Sequence, residues 1–305
     1  MTTSSAGGTS NGPELILDAS YQLDLFDEDV PDAWKMGIFM RPVDQNLVSL
    51  NMQMREKAIR VIDFLEGGGN PQDNHNILAM YDEINDACER LNNWIYVQSK
   101  SILESGKLVG LVGGDHSTPF GFIKALSEVH EDFGILQIDA HMDLREAYEG
   151  FVWSHASIFY NVVNQIKAVS KLTQVGIRDY CEAEVDFVEK HNDKISVFYD
   201  HEIRRQQFAG NTFDKIVDAI VFSLPQKIYV SFDVDGLSPE LCPNTGTPVP
   251  GGLSFQEAVF ILKKLVLSGR EIVGFDVCEV SGNDGTVDGN VGARLVYKLG
   301  NLMGG

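Results

Sequence analysis

Cysteine is sparse in this chain. Its four thiols, Cys88, Cys181, Cys242 and Cys278, are scattered, with no CxxC pair among them. That spacing argues against a disulfide framework or a thiolate zinc site and fits a reducing, cytoplasmic setting. Positive charge is also scarce: 24 Lys and Arg stand against 44 Asp and Glu, for a net charge of −20. A surface of that sign repels nucleic acid and anionic lipid, so neither nucleic acid nor a membrane is expected as a partner. No apolar run approaches the roughly 18 residues of a membrane span. Residues 1–13 (MTTSSAGGTSNGP) have no basic or apolar region of the kind a secretory signal carries, and are expected to form a flexible N-terminal tail. No internal repeat and no Pro- or Ser-rich linker follows, so residues 14–305 are expected to form a single domain.

What remains is a globular composition, 44% hydrophobic and 22% charged, with a regular rhythm from residue 107 onward. Short apolar runs at 107–112 (KLVGLV), 133–138 (FGILQI), 172–175, 195–198, 227–232 (KIYVSF) and 271–277 (EIVGFDV) alternate with segments of helical spacing. Those segments lie at 119–130, 182–191, 213–222, 254–268 and 289–299, and Ser254 with Glu257 forms a capping-box pattern. Two more helices are expected near 50–65, ended by Gly67-Gly68-Gly69, and near 77–104. Such alternation predicts an α/β fold, a parallel sheet covered by helices on both faces. Ligands of such sheets bind at the carboxyl ends of the strands.

Five polar stretches follow the apolar runs. They are Gly113-Gly114-Asp115-His116-Ser117, Asp139-Ala140-His141-Met142-Asp143, Ser154-His155-Ala156-Ser157, Asp233-Val234-Asp235, and Glu279. If extended, Asp139, His141 and Asp143 project to one side, as do Asp233 and Asp235. Four carboxylates crowded at an apolar sheet edge repel one another and resist desolvation. Two divalent cations relieve both costs, and a donor set of carboxylates and two imidazoles without thiolate suits Mn²⁺ better than Zn²⁺.

In this order, Gly-Gly-Asp-His-Ser, Asp-Ala-His-Met-Asp and Ser-Phe-Asp-Val-Asp resemble the three metal-binding signatures of the ureohydrolase family. That family includes arginase, agmatinase, guanidinobutyrase and formiminoglutamase. Residues 245–254 (TGTPVPGGLS) resemble its loop after the third signature, and the likeness covers about residues 108–299. The resemblance implies an arginase-like three-layer α-β-α fold with a central, mostly parallel sheet, and 14–305 as one catalytic domain. It implies two Mn²⁺ per chain, one on His116, Asp139, Asp143 and Asp233, the other on Asp139, His141, Asp233 and Asp235. Asp139 and Asp233 would bridge. It further implies Glu279 as the carboxylate orienting a guanidinium and His155 as a proton-handling group near the mouth. A metal-bridging hydroxide would cleave the guanidino C–N bond, with Asp143 passing the proton to the departing amine. A homo-oligomer, trimer or hexamer, is the family's habit.

Residues 143–157 (DLREAYEGFVWSHAS) resemble the agmatinase branch more than the arginase branch. The expected reaction is therefore agmatine to putrescine and urea, on a small cationic guanidino substrate. Arginine or 4-guanidinobutyrate is the alternative, and formiminoglutamate a more distant one. Arg145 is a candidate substrate contact through a substrate carboxylate. Its competing and preferred reading is a structural ion pair with an acid such as Glu146 or Glu149. Asp115 is expected to orient its loop, and Cys278 to act as a small buried apolar side chain.

Overall fold

The six apolar runs become six parallel strands of a single sheet in the computed structural model, which describes residues 1–3, 8–283 and 285–305. They are β1 (Gly110–Val112), β2 (Phe133–Ile138), β3 (Val169–Ile177), β4 (Ile195–Tyr199), β5 (Lys227–Asp233) and β6 (Glu271–Cys278), in the spatial order β1-β6-β5-β2-β3-β4. β2 and β5, the central pair, are buried along nearly their whole length. That explains why their sequences read as continuous apolar runs rather than alternating ones. From β2 the chain proceeds outward through β3 and β4; it then returns to β5 on the other side of β2 and continues to β6. The strand order thus reverses between β2 and β5. A crevice opens at the carboxyl ends of two strands whose connections leave in opposite directions.

Helices cover both faces. One apolar cluster sets Leu136, Ile138, Val230 and Phe232 of the sheet against Ile216 and Ile220 of α8 (Phe213–Phe222), Ile261 and Leu265 of α9 (Phe255–Leu267), and Leu295 and Leu299 of α10 (Val287–Gly304). The other sets Phe133, Ile135, Leu172 and Tyr229 against Ile95 of α3 (His75–Glu104), Ile123 of α4 (Phe120–Leu126), and Phe159 and Val162 of α5 (Ile158–Gln165). A third cluster packs α2 (Gln45–Glu66) on α3 through Ala58, Val61, Ile84 and Ala87. Strand alternation carries this division: Ile135 faces one layer and Leu136 the other. α4 lies so close on α3 that a Cβ at Gly121 would stand 2.1 Å from the Asn92 carbonyl oxygen. The expected α-β-α architecture is the one observed.

Three local readings change. The run at 107–112 is strand only over Gly110–Val112, where it pairs with β6. α7 (Asp200–Phe208), which follows β4 directly, is strongly polar, with only Asp200 and Ile203 buried, so no apolar spacing announces it. The segment expected to be a tail is packed in its described parts. Thr2 and Thr3 are buried, Thr3 Oγ1 donates to Asp115 Oδ2 at 3.0 Å, and the Met1 amino group lies 3.2 Å from the same oxygen. Gly12 and Pro13 already belong to α1 (Gly12–Ser20), which packs through Leu15 and Ile16 into the first cluster. Residues 4–7 of that segment lie outside the described residues.

Candidate metal centre

The loops leaving β1, β2 and β5 meet at the reversal point. Asp139 directly follows β2 and Asp233 ends β5. The two turns touch backbone to backbone: a Cβ at Gly236 would come within 2.6 Å of the Asp139 nitrogen. Neither acidic stretch stays extended as the spacing suggested. Asp143 takes a left-handed conformation, φ 55°, and residues 234–236 form a turn of 3₁₀ helix. The period-two projection is therefore replaced by side chains closing on their own turns. Asp139 Oδ1 accepts from the His141 N–H at 2.7 Å, and Asp233 Oδ1 from the Asp235 N–H at 2.8 Å. Arg178 pins the second turn from β3, donating to the carbonyls of Asp235, Leu237 and Val249.

Two groups of donor atoms result, and they share one residue. His116, Asp139 and Asp143 form the first, and Asp139, His141 and Asp235 the second. His116 Nδ1 lies 2.9 Å from Asp139 Oδ2, 3.0 Å from Asp143 Oδ2 and 3.3 Å from Asp233 Oδ2, which adds Asp233 to the first group. Yet this nitrogen makes a well-formed hydrogen bond with none of them, although it is fully buried. Across Asp139, His141 Nδ1 is 3.0 Å from Asp235 Oδ2 and 3.6 Å from Asp139 Oδ1. A buried imidazole nitrogen aimed without a hydrogen bond into a ring of carboxylate oxygens is the arrangement a cation satisfies. The donor set fits the pair of divalent ions expected from the sequence.

The electrostatics show the same strain. Burial opposes charge on His141, but Asp235 and Asp139 outweigh it and push its pKa up to about 12. Burial likewise raises Asp139, but His116 and His141 prevail and hold it well below the usual carboxylate range. Asp143, buried and beside the Asp139 charge, rises to about 7. Burial followed by the charges of Asp235 and Asp139 lifts Asp233 far above its ordinary value. Carboxylates so placed are kept from full ionisation by one another, and dications remove that constraint.

Glu279 stands immediately beyond β6, also in a left-handed conformation, φ 65°. Such strain in a non-glycine residue persists only where its surroundings impose it. Its backbone N–H donates to Gly114 O at 2.8 Å, its carbonyl accepts from Thr245 Oγ1, and its Oε1 accepts from the His116 N–H at 2.9 Å. Its Oε2 is buried with no partner among the described residues, and burial followed by the Asp115 charge raises its pKa strongly. His155 opens a 3₁₀ turn over residues 155–157, its ring 5.9 Å from that of Tyr148. Burial lowers its pKa to about 4, so its imidazole is neutral at pH 7. Arg145 points elsewhere: its guanidinium lies 4.9 Å above the Tyr148 ring and its Nε 3.6 Å from Glu184 Oε2. The ion-pair partner is thus Glu184 of α6 (Glu182–Lys190), which caps that helix, and not Glu146 or Glu149. Asp115 accepts from the Ser117 N–H and hydroxyl, closing its own loop. Cys278 is buried within the sheet.

The family model for arginases matches residues 1–300 of the sequence. The chain belongs to the arginase family. This arginase-family protein is 37% identical over 202 residues to an N(1)-aminopropylagmatine ureohydrolase of Thermus thermophilus, an alignment covering 66% of this chain and 64% of that protein. It is 29% identical to a Synechocystis protein of the same name, over 98% of this chain and 84% of the relative. An agmatinase of Pyrococcus horikoshii is 35% identical over 56% of this chain and 54% of its own length. The spans differ, and the chain reaches just under two thirds of the Thermus relative. Among solved structures, the agmatine ureohydrolase of Thermoplasma volcanium superposes with a TM-score of 0.71 over 99% of this chain and 86% of its own. At 20% identity that likeness speaks for the fold alone.

Four buried polar residues near the centre were given no role from the sequence: Gln137, Gln174, Asp276, and Ser231, which opens the third signature. Each interrupts an apolar strand, and Gln137 and Ser231 sit two positions before Asp139 and Asp233. A lone polar residue inside a fully buried strand was the available sign, since such a residue needs a partner.

Proposed function

We propose that this arginase-family protein hydrolyses the guanidino group of agmatine to urea and putrescine, with two Mn²⁺ held by His116, Asp139, Asp143, Asp233, His141 and Asp235. The observation that carries this reading is the pair of donor groups joined at Asp139, with the unpaired Oε2 of Glu279 buried beside them. Dications bound there supply Lewis acidity and water acidified toward neutral pH. Glu279 offers its free oxygen to a guanidinium N–H, a charge-assisted bond that fixes the planar cation for attack. Asp143, a carboxylate at the edge of the first donor group, is placed to move a proton to the departing amine. His155, beside Tyr148 at the start of its 3₁₀ turn, is the group proposed to relay a proton to or from solvent. Arg145 has Glu184 and the Tyr148 ring as partners, which supports its structural reading and with it agmatine over arginine and 4-guanidinobutyrate. Four free cysteines fit a reducing, cytoplasmic setting.

A second reading, N(1)-aminopropylagmatine as the preferred substrate, is favoured by the activity for which the Thermus and Synechocystis relatives are named. Both substrates share the guanidino head and a cationic tail. Urea release from agmatine, N(1)-aminopropylagmatine, arginine and 4-guanidinobutyrate, with and without Mn²⁺, tests both. Mn²⁺-dependent urea from agmatine is expected, and the ratio of kcat/KM between the first two substrates ranks the readings. Urea from arginine and none from either agmatine or N(1)-aminopropylagmatine contradicts both.

A further inference from the structure

Beneath the ligand groups, one polar residue from each of four neighbouring strands stands at the same level of the sheet. Gln174 of β3 pairs in register with Gln137 of β2, Gln137 with Ser231 of β5, and Ser231 with Asp276 of β6. All four are fully buried. A polar row across the middle of an apolar sheet is costly unless each group is satisfied, so its hydrogen bonds have direction.

The bonds run toward the ligands in two arms. In one, Gln174 Nε2 donates to Gln137 Oε1 at 2.6 Å and to the Met142 carbonyl at 2.6 Å. Gln137 Nε2 then donates to Asp139 Oδ2 at 2.8 Å and to the His141 carbonyl at 3.2 Å. In the other, Ser231 Oγ lies 2.7 Å from Asp276 Oδ2 and 2.9 Å from His116 Nε2. Ser231 Oγ donates its one proton to Asp276 Oδ2, so the Ser231 oxygen is left to accept from His116 Nε2–H. Asp276 Oδ1 also accepts from the Cys278 thiol at 3.4 Å. Nε2 is therefore the nitrogen that keeps a proton, and Nδ1, facing Asp139, Asp143 and Asp233, is the nitrogen left for an ion.

We propose that the row Gln174–Gln137–Ser231–Asp276 positions the ligands of this centre, the Gln174–Gln137 arm holding the shared Asp139 and the Ser231–Asp276 arm serving one ion alone by keeping a proton on His116 Nε2 so that Nδ1 is its ligand atom. The proposal rests on the reading that this centre holds two divalent ions. Ser231 and Asp276 touch no ion themselves; they are positioning residues acting through His116. They serve only the first donor group, because the second takes its imidazole from His141. Loss of the relay is thus asymmetric between the ions, whereas general damage to the sheet is not.

The test is Mn²⁺ binding by equilibrium dialysis with elemental analysis, joined to electron paramagnetic resonance, on wild type, Ser231→Ala, Ser231→Thr and Asp276→Asn. Wild type is expected to bind two ions with an exchange-coupled spectrum. Ser231→Ala is expected to keep one ion at wild-type affinity and bind the other about 10- to 100-fold more weakly, with a mononuclear signal at limiting Mn²⁺. Ser231→Thr, which restores the hydroxyl, should recover the second ion. Asp276→Asn, whose amide nitrogen donates where the carboxyl oxygen accepted from Ser231, should weaken the same ion and supplies the measurement if Ser231→Ala does not fold. Two ions held as tightly in both relay variants as in wild type, or both ions weakened equally, overturns the proposal. Wild type binding fewer than two ions overturns the two-ion reading itself, and the proposal with it.

Discussion

Asp139 is the residue both donor groups share, one oxygen toward His116 and the other toward His141. Asp139→Asn removes the charge that ties the two ions together. Manganese content should fall below two per chain, and urea release by more than the roughly 100-fold that loss of an outer-shell partner brings. Full turnover in that variant would contradict the assignment. Glu279 plays a different part, so its neutral form should fail differently. Glu279→Gln keeps the acceptor for the His116 N–H but loses the charge facing the substrate. KM for agmatine should rise about 10- to 100-fold while manganese content stays at two; an unchanged KM would remove Glu279 from the substrate site. At this scale the sequence was informative about which residues assemble and silent on how. Asp139, His141 and Asp143 do converge, but through a left-handed turn at Asp143 that no spacing rule foretells. Arg145 was legible as an ion-pairing residue, whereas its partner Glu184 lies a strand and two helices away in the chain and is fixed by the fold.

Among the elements, α9 shows how a local signal becomes tertiary structure. Ser254 Oγ accepts from the Glu257 N–H, and Glu257 answers by accepting from the Ser254 N–H, the capping box read in the sequence. Glu257 also takes a two-point contact from Arg204 of α7 at 2.7 and 3.2 Å. Burial works against its charge, but Arg204 and the Ser254 N–H outweigh it and hold its pKa at about 2, below the ordinary 4.5. A depressed carboxylate pKa stabilises the folded state above the unfolded value, and that contribution is lost as pH falls through the folded one. Ser254→Ala should cost about 1 kcal/mol in denaturant unfolding at neutral pH. The stability gap between wild type and Glu257→Gln should be full at pH 7 and close between pH 4.5 and about 2. A gap independent of pH would show that Glu257 acts by shape alone. Packing sets a second limit. Gly121→Ala forces α4 off α3 and should destabilise by about 1–3 kcal/mol; an unchanged Tm would refute that contact. Apolar periodicity made α2, α3, α9 and the sheet legible. It missed α7, whose stability comes from Arg204 and its neighbours rather than from an apolar face.

For the molecule as a whole, the strand order places its reversal between β2 and β5, and the acidic turns of both strands close on that point. Asp139, Asp143, Asp233 and Asp235 crowd this centre, a cluster that the fold alone leaves unbalanced. Metal binding should therefore be coupled to protons. His141, pushed up to about 12 in the metal-free chain, carries a proton at pH 7 that an ion must displace. Binding should release protons and strengthen as pH rises between about 6 and 8. Calorimetry in buffers of different ionisation enthalpy checks the sign, and an affinity flat with pH would contradict it. The most direct test of the centre is an anomalous difference map at the manganese absorption edge, from a crystal of the wild-type chain soaked in Mn²⁺. Two peaks about 3.5–4 Å apart, one within reach of His116 and the other of His141, with Asp139 between them, are the predicted result. A single peak, or peaks away from the ends of β2 and β5, would contradict it.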